Sequence, residues 1–134
     1  MPLVTISLRK GKSVAHKRAI ADAVHAALQE YMNVPARDRF QMIHEFDADH
    51  LIFDHNYLDI ERSDDTVFIQ VILSVGRATE VKQAFYAGLA KKLQENPGLR
   101  AQDISIHLVE NTREDWSFGN GVAQYVVLPK EQWK

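Results

Sequence analysis

The sequence contains no cysteine among its 134 residues. This excludes disulfide bonds, thiolate catalysis and zinc–thiolate sites, and it suits a reducing cytoplasm, which is the location we expect. Long hydrophobic runs are absent as well, because no stretch approaches the roughly 20 apolar residues that a membrane span requires. The first residues have neither the basic leader nor the continuous apolar run of a signal peptide. We therefore expect no membrane partner.

An excess of charge of one sign is also lacking. The formal net charge is −2, with 25% charged and 46% hydrophobic residues. That balance is ordinary for a globular protein and gives no electrostatic footprint for nucleic acid. No low-complexity linker divides the chain, and its length suits one domain with a substantial core. The expectation is a single domain over residues 1–134.

What the chain does contain is an internal repeat. A shift of 65 positions, without a gap, aligns several identical residues. These pairs are Gly11 with Gly76, Lys17 with Lys82, Leu28-Gln29-Glu30 with Leu93-Gln94-Glu95, Asp38 with Asp103, and Glu45 with Glu110. The unbroken register and the matched hydrophobic patterns indicate a duplication, with repeats of about 2–46 and 67–110.

The first repeat predicts a strand, a helix and a second strand. Side chains alternate in character from Leu3 to Leu8, as in a strand. Ser13 suits the N-cap of a helix that runs to about Tyr31. Aromatic and aliphatic residues over 40–46 predict the second strand.

The second repeat has the same pattern. Residues 67–73 predict a strand, Thr79 is the expected N-cap of a helix, and alternation over 104–108 predicts the last long strand. A β-α-β unit has parallel strands and a right-handed crossover. Two units predict an α/β (α+β) fold, a four-stranded mixed sheet with both helices on one face.

Two shorter elements are expected outside the repeats. A short strand is predicted around residues 57–60. The turn signal "FGNG" at 118–121 precedes "AQYVVL", which predicts a short closing strand.

The strand sequences also suggest an oligomer. The first and third strands are expected to carry apolar residues on both faces, with Leu3 beside Val4 and Ile69 beside Val71. Strands of this kind need cover on both sides. A monomer of this size cannot supply that cover, so we expect oligomerisation through the open face.

Connectivity brings three chemically useful residues to one rim of the sheet. Parallel partners start at the same end, so Pro2 and Asp38 share that end. If the two halves are related by a twofold axis in the sheet, the third strand ends there too, and Arg77 follows it. A secondary amine, a carboxylate and a guanidinium would then share one pocket.

These groups suit carbonyl chemistry. Once Met1 is removed, the Pro2 amine is a base or an imine-forming nucleophile when uncharged, and an acid when charged. Arg77 can bind a substrate carboxylate, and Asp38 can orient water, polarise substrate or tune the amine. The alternative is that each residue is ordinary: proline is tolerated at a strand start, and Asp103 marks the equivalent strand entry in the other half.

The histidine-rich loop gives no comparable signal. His44, His50 and His55 alternate with aspartates but lack a recognised metal-ligand spacing. A solvated polar loop is the preferred interpretation, and we expect neither a metal nor a cofactor.

Several motifs together resemble one family. Pro2 at the first strand, "VPARDRF" at 34–40, "GR" at 76–77 and "DWSFGNG" at 115–121 resemble malonate semialdehyde decarboxylase and its relatives in the tautomerase superfamily. The resemblance extends over nearly the whole chain. It implies two β-α-β units per subunit and a homotrimer whose sheets face inward.

The resemblance also implies roles for individual residues. Pro2 would be the catalytic acid or base, Asp38 would orient or polarise water or substrate, and Arg77 would bind a carboxylate. Trp116 and Phe118 would form an apolar wall of the pocket, or else belong to the core or trimer interface. One departure is visible, because the decarboxylases carry two arginines spaced R-x-R and Val75 stands where the first would be.

The expected function is keto–enol tautomerisation of a small 2-oxo acid with Pro2 as base. Decarboxylation or hydration of a three-carbon oxo acid, such as malonate semialdehyde, is the alternative within the same chemistry. A trimeric binding protein without catalytic activity is the alternative from another class.

Overall fold

The computed structural model describes residues 2–134; Met1 lies outside the described residues. The elements are β1 (Leu3–Arg9), α1 (Val14–Met32), β2 (Phe40–Phe46), β3 (Val67–Ser74), α2 (Thr79–Glu95), β4 (Ile104–Asn111) and a short helix α3 (Gln124–Val127). The sheet order is β2-β1-β3-β4, with β1 parallel to β2, β3 parallel to β4, and β1 antiparallel to β3. The predicted fold class is confirmed. Within residues 2–134, neither long helix has the length and hydrophobicity that crossing a membrane demands.

The two repeats are related by a twofold axis through the sheet. In both parallel pairs a residue lies opposite the one 37 positions later, as Leu3 lies opposite Phe40 and Val67 opposite Ile104. Thr5 lies opposite Gln70, which is its own counterpart in the repeat. The axis therefore passes through this pair. The backbone at one end of the sheet is consequently related by symmetry to the backbone at the other end.

An ion pair recurs at equivalent positions in the two halves. Lys17 Nζ lies 2.8 Å from Glu45 Oε1, and Lys82 Nζ lies 2.7 Å from Glu110 Oε1. Each pair joins the helix of a unit to the outer strand of the same unit. Contacts of this kind stabilise little by themselves, but their recurrence supports a duplication of one ancestral unit.

The core lies between the helices and one face of the sheet. Side chains alternate between the two faces of a strand, and a helix buries one stripe. The strand contribution is Val4, Ile6, Leu8, Val67, Ile69, Val71 and Leu73, and the main helix contribution is Ile20, Val24, Leu28, Phe85, Leu89 and Leu93. Ser13 caps α1 as predicted, because its Oγ accepts a hydrogen bond from His16 N at 3.0 Å.

One argument for the two-faced strands is wrong in detail. Ile69 and Val71 are two positions apart, so both point toward the helices and both are buried. The apolar residues of β3 on the open face are Phe68 and Ile72, and Ile72 lies opposite Leu3 of β1. The open face of β3 thus carries apolar residues, although not the ones that the sequence argument named.

Three local predictions are also wrong: the N-cap of α2, the strand at 57–60 and the closing strand after the "FGNG" turn. Ala78, not Thr79, is the N-cap of α2, and Thr79 is its first residue. The expected strand at 57–60 is a single 3₁₀ turn over Tyr57–Asp59, whose backbone enters the left-handed region.

The segment that was expected to form a closing strand is helical, and it forms α3. β-branched residues favoured a strand, but the described chain offers this segment only an isolated bridge between Gly119 and Val122. Gln124 anchors a helical turn instead, since its side chain accepts from Phe118 N and donates to Gly119 O, both at 2.8 Å.

Asp103 fixes the loop that enters β4. Its carboxylate accepts hydrogen bonds from Ser63 N at 2.7 Å, Ser63 Oγ at 2.6 Å and Thr66 Oγ1 at 3.2 Å. Burial by itself would raise the pKa of Asp103, but these bonds favour the ionised form and lower the pKa below its ordinary value. The residue is 1% exposed and acts as a structural anchor.

We expect Asp103→Asn to lower the free energy of unfolding at pH 7 by about 1–3 kcal/mol, the scale of hydrogen bonds to a charged group. A carboxyl whose folded pKa is depressed stabilises above its unfolded value of 3.8, and this contribution is lost as pH falls through the folded pKa. Urea unfolding at pH 7 and pH 3 should therefore show a large difference between wild type and variant only at pH 7. Exposed Asp49→Asn is the control, and equal midpoints for wild type and Asp103→Asn at pH 7 would contradict the anchor.

Candidate active site

A cavity of about 550 Å³ opens at the end of the sheet where β2 starts and β3 ends. Segments that follow β4 complete its wall. The lining residues that matter chemically are Asp38, Phe40, Arg77, Arg113, Phe118 and Tyr125. Two of the three residues predicted to converge, Asp38 and Arg77, thus face one space.

Pro2 lies at the same end of the sheet. It immediately precedes β1, whose first residue, Leu3, lies opposite Phe40 of β2 and Ile72 of β3. The residue is buried and is not one of those that line the cavity. In the encoded chain its nitrogen is an amide bonded to Met1, so a free amine there requires removal of that methionine.

Asp38 sits on a tight turn before β2. Its backbone N–H donates to Pro35 O at 3.0 Å, and the counterpart turn has the same bond from Asp103 N to Arg100 O at 3.0 Å. The backbone geometry is therefore shared by both repeats. The surroundings of the two carboxylates differ. Burial raises the pKa of Asp38, although the positive charges of His25 and Arg77 act in the opposite direction.

The repeat explains why the two aspartates differ. Ser63 and Thr66, which clamp Asp103, lie in the segment just before Val67, and Val67 corresponds to Pro2 in the repeat. In the first repeat the sequence has no such serine and threonine before Pro2, and Asp38 lines the cavity at that end of the sheet. Asp38 and Asp103 thus share the backbone turn before their strands, as the alternative interpretation of Asp38 expects. They differ in what surrounds the carboxylate, because Asp38 lines a cavity and Asp103 is hydrogen-bonded to its neighbours.

Arg77 is oriented by two backbone carbonyls. Nη1 donates to Ser74 O at 3.1 Å, and Nη2 donates to Met32 O at 3.2 Å. A guanidinium has five N–H groups, so donors remain for a ligand. Its counterpart in the repeat, Lys12, is instead bound to Asp65 at 2.7 Å.

The apolar wall is formed by Phe118 with Trp116 behind it. Phe118 lines the cavity, and the two rings stack at 5.6 Å with an angle of 9°. The Trp116 indole donates to Asn111 Oδ1 at 2.9 Å and is 8% exposed. Trp116 does not line the cavity; it holds Phe118 in place.

Sequence reasoning missed Tyr125. Its ring contacts Phe118 edge to face at 4.9 Å, and it lines the cavity. Burial, and then the charge of Asp38, raise the pKa of Tyr125 to about 12, while Arg77 and Arg113 act in the opposite direction. The "FGNG" turn was the available signal, because it folds the chain back toward Phe118.

Arg113 was also missed. It lines the cavity from the 3₁₀ turn after β4, and its guanidinium lies 5.0 Å from the centre of the Trp133 ring. No ion pair joins it to an acidic side chain in residues 2–134. The cavity thus contains two arginines although Val75, at its rim, is not one.

The histidine-rich loop lies elsewhere. His55 Nε2 is 3.3 Å from Asp64 Oδ1, and His50 Nδ1 is 3.7 Å from Asp47 Oδ2. Across the described part of the chain, no group of three acidic or histidine side chains is arranged to hold a metal.

The Tyr125 phenol reports on the charge of Asp38. We expect Asp38→Asn to lower the pKa of Tyr125 from about 12, because a negative charge that opposes ionisation is removed. Ultraviolet difference titration against Tyr125→Phe isolates this phenol from the other three tyrosines. Asp49→Asn serves as the control; an unshifted titration in Asp38→Asn would mean that the two side chains do not share the cavity.

Comparison with known proteins agrees with this arrangement. One family model described as tautomerase enzyme matches residues 38–119, and another of the same description matches residues 2–59. The probable tautomerase YusQ of Bacillus subtilis (strain 168) is 38% identical over 94% of this chain and 99% of its own.

Solved structures share the fold. FG41 malonate semialdehyde decarboxylase inhibited by 3-bromopropiolate is 42% identical, with a TM-score of 0.87, and the match covers 92% of this chain and 94% of that one. A fused 4-OT, described as a wild-type symmetric trimer, has the same fold at 21% identity, with a TM-score of 0.76 over 93% of this chain and 98% of that one. Both halves match tautomerase models, and full-length relatives reach 38% and 42% identity, so the chain belongs to the tautomerase family of enzymes.

Proposed function

We propose that this enzyme catalyses keto–enol tautomerisation of a small 2-oxo acid, with the Pro2 amine as base after removal of Met1. The observation that supports this most is the pair of related aspartates. Asp103 is clamped by its neighbours, whereas Asp38 lines a cavity at the end of the sheet from which β1 and β2 start. No cofactor is required, because the reaction only moves a proton between carbon and oxygen.

The proposed step begins with the neutral amine. An ordinary α-amino group titrates near 8, and the positive charges of Arg77 and Arg113 would lower that value, while Asp38 would raise it. The amine takes a proton from the carbon next to the carbonyl, the C–H electron pair becomes the C=C bond, and the C=O π pair moves onto oxygen. The oxygen then takes a proton from the protonated amine or from water, which completes the enol and frees the amine. In the reverse direction the protonated amine returns the proton to carbon.

Arg77 is proposed to hold the substrate carboxylate. Two of its N–H groups bind the Ser74 and Met32 carbonyls, which fixes the plane of the guanidinium before substrate arrives. The remaining donors can bind a carboxylate, and a guanidinium matches a planar anion better than an ammonium does. This role would set the distance between the reacting carbon and Pro2.

Tyr125 and Asp38 are proposed to stabilise the oxygen that gains charge. With a pKa of about 12, the Tyr125 phenol stays protonated at neutral pH and can donate to an enolate oxygen. Asp38 would tune the amine, or orient water or substrate. Phe118, backed by Trp116, excludes water from one side and so strengthens these interactions.

We also propose a homotrimer, as in the fused 4-OT with the same fold. The open face of the sheet supports this, because Phe40, Met42 and Val109 are each more than 40% exposed there and Leu3 and Ile72 lie between them. A second subunit would remove this apolar area from water. The cytoplasmic location remains a prediction.

Decarboxylation or hydration of a three-carbon oxo acid is the second candidate. The 42% identity to a malonate semialdehyde decarboxylase favours it. Val75 replaces one of the two arginines of those enzymes, which argues against it, but Arg113 brings a second guanidinium to the cavity from another part of the chain. The two activities can be measured on the same preparation.

We expect Pro2→Ala to slow ketonisation of an aryl enolpyruvate at least tenfold, which corresponds to about 1.4 kcal/mol of barrier. Intact-mass analysis should show that Met1 is absent from the active wild-type protein. Malonate semialdehyde decarboxylation, assayed in parallel, decides between the two candidates by the larger kcat/KM. Unchanged rates in Pro2→Ala, or full activity in protein that retains Met1, would refute the amine mechanism.

Arg77→Ala should reduce kcat/KM for 2-oxo acids by roughly 10- to 100-fold, the scale of hydrogen bonds between charged groups. The same variant should affect an uncharged carbonyl substrate much less. Lys12→Ala is the matched control, since Lys12 is the counterpart of Arg77 at the other end of the sheet and should leave both activities unchanged. Equal losses for acids and uncharged substrates would show that Arg77 is not the carboxylate anchor.

A further inference from the structure

His25 is a buried titratable side chain that the proposed mechanism does not use. It lies on α1, is 7% exposed, and places Nε2 2.9 Å from Ala36 O. A carbonyl oxygen can only accept, so the imidazole donates this hydrogen bond. Burying a polar ring is costly unless it is hydrogen-bonded, and here the partner lies on the turn that carries Asp38.

The position of this bond within the turn is informative. Pro35 and Asp38 are the first and last residues of the turn, which is closed by one backbone hydrogen bond of 3.0 Å. Ala36 is the second residue, so the imidazole holds the turn only two residues before the carboxylate. A shift of the Ala36 carbonyl would therefore move Asp38 relative to the cavity.

The second repeat holds its turn differently. The counterpart of His25 is Ala90, which has no side-chain donor. That turn is instead anchored by Asp103 itself, through the bonds from Ser63 and Thr66. The first repeat cannot anchor its turn in this way without withdrawing the Asp38 carboxylate from the cavity.

We infer that His25 is a positioning residue: its hydrogen bond to the Ala36 carbonyl holds the turn so that the Asp38 carboxylate can face the cavity. The imidazole takes over the structural task that the aspartate performs in the other repeat. This inference rests on the proposed role of Asp38.

His25 also acts on Asp38 electrostatically when it is protonated. Its positive charge lowers the pKa of Asp38, in the same direction as Arg77 across the cavity. Other charged groups beside the turn include Arg37 within it, and Asp22 of α1 with Arg39 after the turn, whose side chains are 2.6 Å apart and pair with each other. Geometry and charge can therefore be separated by substitution.

Two variants make that separation. His25→Leu removes both the donor and the charge, and should lower kcat/KM for the 2-oxo acid by about tenfold, mainly through kcat, because a displaced catalytic group costs rate. His25→Gln keeps an amide donor without the charge. It should restore most of the rate at neutral pH, while the acid limb of the kcat/KM profile moves to higher pH.

The matched control is Ser63→Ala, which weakens the corresponding turn of the second repeat. It should lower the melting temperature and leave kcat/KM unchanged, whereas His25→Leu should lower both. If His25→Leu does not fold, His25→Asn replaces it, since the shorter amide does not reach Ala36.

Asp38→Asn and the double variant His25→Leu/Asp38→Asn test the dependence on Asp38. The double variant should be no slower than Asp38→Asn alone. Full activity in Asp38→Asn would overturn the role of Asp38 itself. Impaired Asp38→Asn together with fully active His25→Leu, or His25→Asn in its place, would overturn the positioning role and leave the proposed function standing.

Discussion

The antiparallel pairing of β1 with β3 is the contact on which the rest of this structure depends. Each β-α-β unit alone would place its strand starts at one end and its helix entry at the other. Pairing through Thr5 and Gln70 turns the second unit around, so that the end of β3 meets the starts of β1 and β2. A carboxylate from one repeat and a guanidinium from the other then face the same cavity.

The same symmetry creates an equivalent place at the opposite end of the sheet, and the chain uses the two ends differently. There, Lys12 is paired with Asp65, and Asp103 is clamped by Ser63 and Thr66. These contacts satisfy the charges internally and stabilise the fold. At the first end, Asp38 and Arg77 keep the inherited backbone positions but line a cavity. The duplicated ends therefore differ: one is held by internal ion pairs and hydrogen bonds, and the other opens into the candidate site.

Residues outside the repeats complete the candidate site. The segment after β4 contributes Arg113, Phe118 and Tyr125, held together by ring contacts rather than by strand pairing. Trp116 stabilises this wall from behind. The counterpart segment between β2 and β3 lies at the opposite end of the sheet, where it contributes Asp47, Ala48, Asp64 and Asp65 to a smaller cavity of about 290 Å³. The two ends therefore differ in these segments as well as in their aspartates.

Much of this architecture could be predicted from the sequence, because periodicity and repetition are local properties of a chain. The alternation over 3–8, the N-cap at Ser13 and the unbroken 65-residue shift were sufficient to predict both units, the mixed sheet and the convergence of Asp38 with Arg77. Local propensity was insufficient where pairing decides the outcome. Residues 123–128 resemble a strand in composition, yet they form α3 because the described chain offers them no extended neighbour.

The amino-acid sequence by itself determined the repeat, the fold class and the residue types available at each end of the sheet. Only the tertiary structure decided which aspartate is clamped and which faces a cavity, since that depends on what packs beside two identical turns. It likewise decided that Arg113, Tyr125 and His25 lie near Asp38, because folding brings together residues that are far apart along the chain.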